Sequence, residues 1–266
     1  MNDQHNNESQ RARILDEIEH WQSINQDQSK QHVTVYIDLK SPHAYLAVRP
    51  SLQLAHDYHV YVNFLPFTLS YVELGVSTEV SETMERKPLN EAADRKARMY
   101  YAAAREYAKI QDLPFRSPYR LLDSTLAHKA FLYAKHQNLE IPFMLYVYTK
   151  GWGSGWRDFE LESFEAVSNA LSKSDVSLDG FKEFASNQGK GVEELQEHIL
   201  AAEKSGIAGV PHYVLDEYGE SKRLSLFGRE HLSLIRLRLA ERGLARSDSI
   251  SHNFPHTWPI LNHIYQ

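Results

Sequence analysis

The chain reads as an α/β protein: strand, helix and strand come first, a long run of helices interrupts, and two strands and a helix close the domain. Three observations predict this order. HVTVYIDL at 32–39 and YVNFLPF at 61–67 are short β-branched and aromatic runs suited to buried strands. From Leu89 to Ser205, long segments with helical spacing replace them. After Gly206 the strand signal returns in HYVLDEYGESKRLSLFG, two apolar runs on either side of Tyr218 and Gly219 that predict a hairpin.

In chain order, Ile14, Ile18, Trp21 and Ile24 share one helical face and predict an amphipathic helix within an N-terminal extension, residues 1–32. The first strand leads to Ser41 and Pro42, a good N-cap and a good first-turn residue, so a helix is expected from Pro42 to about His59. With the strand at 61–67 this makes a βαβ unit. Glu91 to Ile110 is alanine-rich without Gly or Pro, and PFRSPY, Pro114 to Tyr119, breaks the pattern before helices at Ser124–Gln137 and Pro142–Tyr148. LESFEAVSNAL, SLDGFKEFASNQ and VEELQEHILAAEKSG predict three more, the last stopped at Gly206. HLSLIRLRLAERG closes the domain as a helix ending at Gly243. The expected organisation is a sheet domain from 33–75 and 206–245, a helical insertion at 76–205, and an aromatic, His-rich tail at 246–266. That tail, with Phe254, Trp258, Ile260, Leu261 and Ile264, is apolar enough to pack on the domain or on the partner subunit of an expected homodimer.

At 266 residues and 42% hydrophobic the chain can bury a substantial core. A net charge of -6 with no Lys/Arg run argues against nucleic acid or an anionic membrane as the main partner. No apolar run approaches the roughly 18 residues of a membrane span, and the polar start MNDQHNNESQ precedes no signal core, so a cytoplasmic protein is expected. The 14 histidines include His252, His256 and His263 in the tail, but none shows a ligand spacing, and no metal is expected. There is no cysteine, which excludes a disulfide framework and a dithiol redox pair, because no thiolate of the chain's own can attack anything.

The element order, with D-x-x-S-P-x-x-Y-L-A at Asp38 to Ala47, G-V-P at Gly209 to Pro211, GWGSGWRDFELESF in the helical middle and F-G-x-x-x-L at Phe227 to Leu232, resembles a known family. It is similar, over 33–243, to the DsbA-like branch that contains 2-hydroxychromene-2-carboxylate isomerases and kappa-class glutathione transferases. The resemblance implies a thioredoxin-like fold with a large all-helical domain inserted in the middle. It places Ser41 where a disulfide oxidoreductase carries its reactive cysteine, which suggests a thiol borrowed from glutathione.

Each candidate residue has a structural reading beside the functional one. Ser41 is an N-cap in either case; as the catalytic residue it also donates a hydrogen bond to the sulfur of glutathione while the helix start adds partial positive charge. Pro211 either opens a strand or, as the resemblance implies, follows a cis peptide with Val210 whose backbone pairs with glutathione like an added strand. The family pattern G-x-D-R reads here Gly228, Arg229, Glu230, His231. Gly228, Glu230 and His231 are therefore the candidates for the glutamyl end, and Glu230 is also the acid expected in any first helical turn. Pro42, His43, Tyr45, Trp152 and Trp156 are the expected substrate pocket, with the two indoles of Gly151–Asp158 either a mobile aromatic lid or core anchors of a surface loop. Lys96, Tyr100, Asp123 and Ser124 lie on segments that face the cleft in the family.

Two functions follow. In one, the protein is a glutathione-dependent isomerase or transferase for a small electrophile, an aromatic-derived one by resemblance, with Ser41 activating the sulfur and a pocket donor stabilising an enolate. In the other, a non-catalytic binding protein keeps the fold and takes a ligand or peptide.

Overall fold

The computed structural model describes residues 19–70, 91–118, 122–216 and 223–253. A four-stranded sheet in the order β2-β1-β3-β4 forms its centre. β1 (Gln31–Ile37) and β2 (Val60–Pro66) run parallel, in register from Gln31 opposite Val60 to Ile37 opposite Pro66. Parallel neighbours require a crossover, which α1 (Pro42–Asp57) supplies. β3 (His212–Asp216) lies antiparallel on the other side of β1, with His212 opposite Tyr36, and β4 (Arg223–Phe227) pairs back on β3, with Phe227 opposite His212. This is the thioredoxin-like sheet. The expected turn at Tyr218 and Gly219 lies outside the described residues, as do Ile14, Ile18 and the aromatic residues of the tail.

β1 buries Val33, Val35 and Ile37 on one face, and β2 adds Val60, Val62 and Phe64. α1 is buried almost throughout because it sits between the sheet and the inserted helices, touching β2 and the first of those helices. Leu46, Leu52, Leu54 and Ala55 are sealed from solvent. Each fully buried leucine contributes about 1.5–3 kcal/mol. Together they outweigh the roughly 3 kcal/mol that Pro50 costs inside the helix, which is why the helix runs through it.

The helical block comprises α2 (Glu91–Ile110), α3 (Thr125–His136), α4 (Glu140–Tyr148) with a π-helical turn at Thr149–Ser154, α5 (Phe164–Lys173), α6 (Phe181–Ala185) and α7 (Lys190–Lys204). α4 begins at Glu140 rather than at Pro142, since a proline is tolerated in a first turn. SLDGFKEFASNQ yields only the five residues of α6, because Ser186 turns extended and Gly189 then packs on the carbonyls of Glu183 and Phe184 too closely for any Cβ. A 3-10 turn at Arg229–His231 leads into α8 (Leu232–Glu241). Helical residues at 19–24 bury Trp21 completely, and Asn25 then uses its amide to donate to the Val62 carbonyl (2.9 Å) and accept from the Val62 N–H (2.8 Å). The side chain thus covers part of the open edge of β2, which would otherwise offer unpaired backbone groups. Among the described residues no helix is long and apolar enough to cross a membrane.

The register fixes what meets at one end of the sheet. The C-terminal end of β1, the start of β3 and the end of β4 coincide there, so the Asp38–Ser41 turn, Pro211 and Gly228 share that end. Gly228 N–H donates to the Pro211 carbonyl at 2.9 Å.

Candidate active site

Ser41 stands at the N-terminus of α1 with extended backbone (φ -89, ψ 123), and its Oγ accepts from the Ala44 N–H at 3.3 Å. It is the N-cap the sequence predicts. A serine hydroxyl both accepts and donates, and among the described residues no acceptor takes the Ser41 hydrogen. The side chain is only 4% exposed, so the field of the helix start acts on this hydroxyl with little screening by water.

A polar network beneath the turn holds it in place. Asp38, sealed from solvent, meets the Lys40 ammonium at 2.9 Å and accepts from Ser124 Oγ (2.7 Å), the Leu69 N–H (2.8 Å) and the Lys40 N–H (3.0 Å). Lys40, itself buried, also donates to Ser124 Oγ at 3.0 Å. His128 Nε2 takes the Leu39 N–H (3.2 Å) and lies 3.3 Å from Asp38, while its Nδ1 shares a hydrogen with Thr68 (2.7 Å). Tyr148 donates to the Asp38 carbonyl (3.1 Å), and Trp152 to that of Leu39 (3.2 Å). Burial alone would push the Asp38 carboxyl up; the Lys40 ammonium first, and then the hydrogen bond from Ser124, outweigh it and hold the group well below the usual carboxylate range. Burial and then the Asp38 charge push the Tyr148 phenol well up, so it remains a donor. Ser124 thus belongs to the floor of the site, whereas Asp123 is exposed and accepts from the Thr125 N–H at 2.9 Å just before α3.

The expected pocket residues divide into two groups. Trp152 and Trp156 are fully buried and meet edge to face, with ring centroids 5.2 Å apart; Trp152 also stacks on Phe115 and Tyr45. Tyr45 is buried and donates to the Pro114 carbonyl at 2.9 Å. The indoles are therefore core anchors rather than a lid, because the π-helical turn folds them under the loop. Gly151 makes room for them: a Cβ there would lie 2.2 Å from the Trp156 ring. Gly151→Ala is accordingly expected to destabilise the protein by about 1–3 kcal/mol. Urea unfolding checks this, and an unchanged midpoint would refute it.

Pro42 is buried in the first turn of α1. His43 reaches α2, where its ring meets that of Tyr100 edge to face with centroids 5.7 Å apart. Lys96 sits 5.9 Å over the same tyrosine, so two residues of the insertion are brought beside the start of α1. The Val210–Pro211 peptide is cis, as expected, and Val210 is buried. Past β4 the three charged neighbours point differently. Glu230 is exposed, with its carboxylate folded back over Gly228, and His231 is half-buried. Arg229, which the sequence reading passed over, is the one turned inward: it is 4% exposed and stacks 4.0 Å from the centre of the Tyr107 ring. Burial lowers its hold on the proton, Tyr107, Tyr213 and Glu230 act the other way, and from so high a starting value it stays charged.

These features define a class. The chain matches the DSBA-like thioredoxin domain over residues 32–240 and belongs to that family. Among solved structures it is similar to a 2-hydroxychromene-2-carboxylate isomerase, at 20% identity over 80% of this chain and 96% of that one, with a TM-score of 0.61. The cytosolic disulfide reductase DsbM from Pseudomonas aeruginosa is 15% identical over 80% of this chain and 97% of its own, with a TM-score of 0.55. The same enzyme solved with GSH gives 13% identity over the same shares and a TM-score of 0.53. At these identities the likeness is one of fold. No curated protein matches the chain.

Proposed function

We propose that the protein is a glutathione-dependent isomerase or transferase acting on a small electrophilic, aromatic-derived substrate. One observation carries the reading: Ser41 caps α1 with a lone pair and keeps its hydroxyl hydrogen uncommitted at a helix start, in a chain that has no cysteine. A fold built around sulfur chemistry then has a donor where its sulfur belongs and no sulfur of its own.

The residues present fit such a ligand. Besides the Ser41 hydrogen, His43 Nε2 and both terminal amino groups of Arg229 have no hydrogen-bond partner among the described residues, and glutathione offers a thiol, carboxylates and amide groups to meet them. When bound, glutathione supplies a nucleophile that adds to an electron-poor conjugated double bond and leaves again after rotation, with no net oxidation. Ser41 donates to the sulfur, and the helix N-terminus favours its anionic form. The Asp38–Lys40–Ser124 network keeps the hydroxyl at its position. The buried setting excludes water from the same spot, which strengthens both effects. The structure of DsbM with GSH supports the reading as a case of this fold binding that ligand.

Calorimetric titration tests it. Glutathione is expected to bind the wild-type protein, and S-methylglutathione to bind more weakly because it has no thiolate for Ser41 to hold. Absence of heat with millimolar glutathione would remove the proposal and favour a non-catalytic binding role.

A further inference from the structure

We propose that Arg229, with His43 beside it, is a seat for one planar carboxylate of an acidic ligand. The inference rests on the reading of this end of the sheet as a ligand site, but not on the thiol being that of glutathione.

A guanidinium is seldom buried without acceptors, because losing its water costs several kcal/mol unless new hydrogen bonds replace it. Arg229 is 4% exposed, and neither terminal amino group has a partner among the described residues. Its neighbour Glu230 does not bridge to it, since the Glu230 carboxylate is folded over Gly228. The Tyr107 ring 4.0 Å away fixes the plane of the guanidinium by stacking, and leaves the two amino groups aligned as a fork. A fork of two donors in one plane matches the two oxygens of a carboxylate.

His43 Nε2 is the second orphan, and the ring is close enough to Arg229 for the positive charge to act on it. Burial first, and then that charge, lowers the imidazole's affinity for protons, so the ring is neutral at pH 7. As a neutral imidazole the ring can offer its unpartnered Nε2 as an acceptor. One fixed cation beside a neutral acceptor suits a monoanion carrying a nearby N–H or O–H better than a dianion. The geometry therefore points to a carboxylate.

Two sources supply that chemistry, the electrophilic substrate and a carboxylate of glutathione, and one experiment separates them. Benzoate is titrated calorimetrically into the wild-type protein and into Arg229→Met and Arg229→Lys, with benzyl alcohol as the uncharged control and thermal melting to confirm folding. Benzoate is expected to bind the wild type, at least about tenfold more weakly to Arg229→Met, and to an intermediate degree to Arg229→Lys, which keeps the charge but loses the fork. The wild-type titration is repeated at saturating glutathione. Competition assigns the seat to glutathione, and undiminished benzoate binding assigns it to the substrate; either supports the seat. Equal benzoate binding by wild type and Arg229→Lys, no wild-type binding, or equal binding of benzyl alcohol overturns it. Should Arg229→Met fail to fold, the Arg229→Lys comparison decides. Because the benzoate arms need no glutathione, loss of the glutathione reading alone leaves them intact.

Discussion

Replacing Asp38 by alanine is expected to cost the fold about 3–5 kcal/mol, the effect of leaving one half of a buried ion pair alone. The carboxylate is sealed from solvent, and its removal strands the buried Lys40 ammonium and the hydrogen bonds of Ser124 and Leu69. The paired variant Asp38→Asn with Lys40→Met is expected to recover most of that loss, since both charges go together. The pH dependence has a definite sign. The folded-state pKa of Asp38 is depressed below its ordinary 3.8, so its contribution is fully present above that value and is lost as pH falls towards the folded pKa. The wild type should therefore lose stability on acidification below about pH 4, and Asp38→Asn should lose less of it over the same range. Urea midpoints across pH measure this. A loss from Asp38→Ala below about 1 kcal/mol, the scale of a solvent-exposed pair, would contradict the network's role.

The second large effect is expected at Ser41. Ser41→Ala removes the cap, at about 1 kcal/mol of stability. It also removes the donor to a bound thiolate, and the thiol pKa should rise by about one to two units, the equivalent of a hydrogen bond to a charged group. Ser41→Asp keeps an acceptor for the Ala44 N–H and so keeps the cap, but sets a negative charge against the sulfur. It should fold like the wild type and be the less active of the two variants. Melting and turnover together separate cap from donor: a melting point lowered by alanine but not by aspartate, with turnover reduced in both, is the expected pattern.

The pattern of apolar runs made the sheet legible. HVTVYIDL and YVNFLPF are strands to within a residue or two because β-branched residues cluster there and turn residues bound them. Ser41 with Pro42 marked the start of α1, and the uninterrupted Glu91–Ile110 marked α2, because caps and breakers act locally. Residues whose roles depend on distant partners were not legible in the same way. Lys40 stands two residues after Asp38 in the sequence, but only the fold brings it to Ser124, 84 positions later in the chain. Which of Arg229, Glu230 and His231 turns inward is set by a 3-10 turn and by Tyr107, neither of which the local sequence specifies. The indoles of GWGSGW suited a lid as well as a core until the π-helical turn at Thr149–Ser154 settled their direction.

The central claim is that Ser41 holds a borrowed thiol as its anion. The most direct test is the ultraviolet thiolate absorbance of the glutathione complex as a function of pH. For the wild type the midpoint should fall below the roughly 8.5 of a free cysteine thiol, should move up in Ser41→Ala, and should move further up in Ser41→Asp. A wild-type midpoint at the free-thiol value, unmoved by either substitution, would leave Ser41 as a helix cap and nothing more.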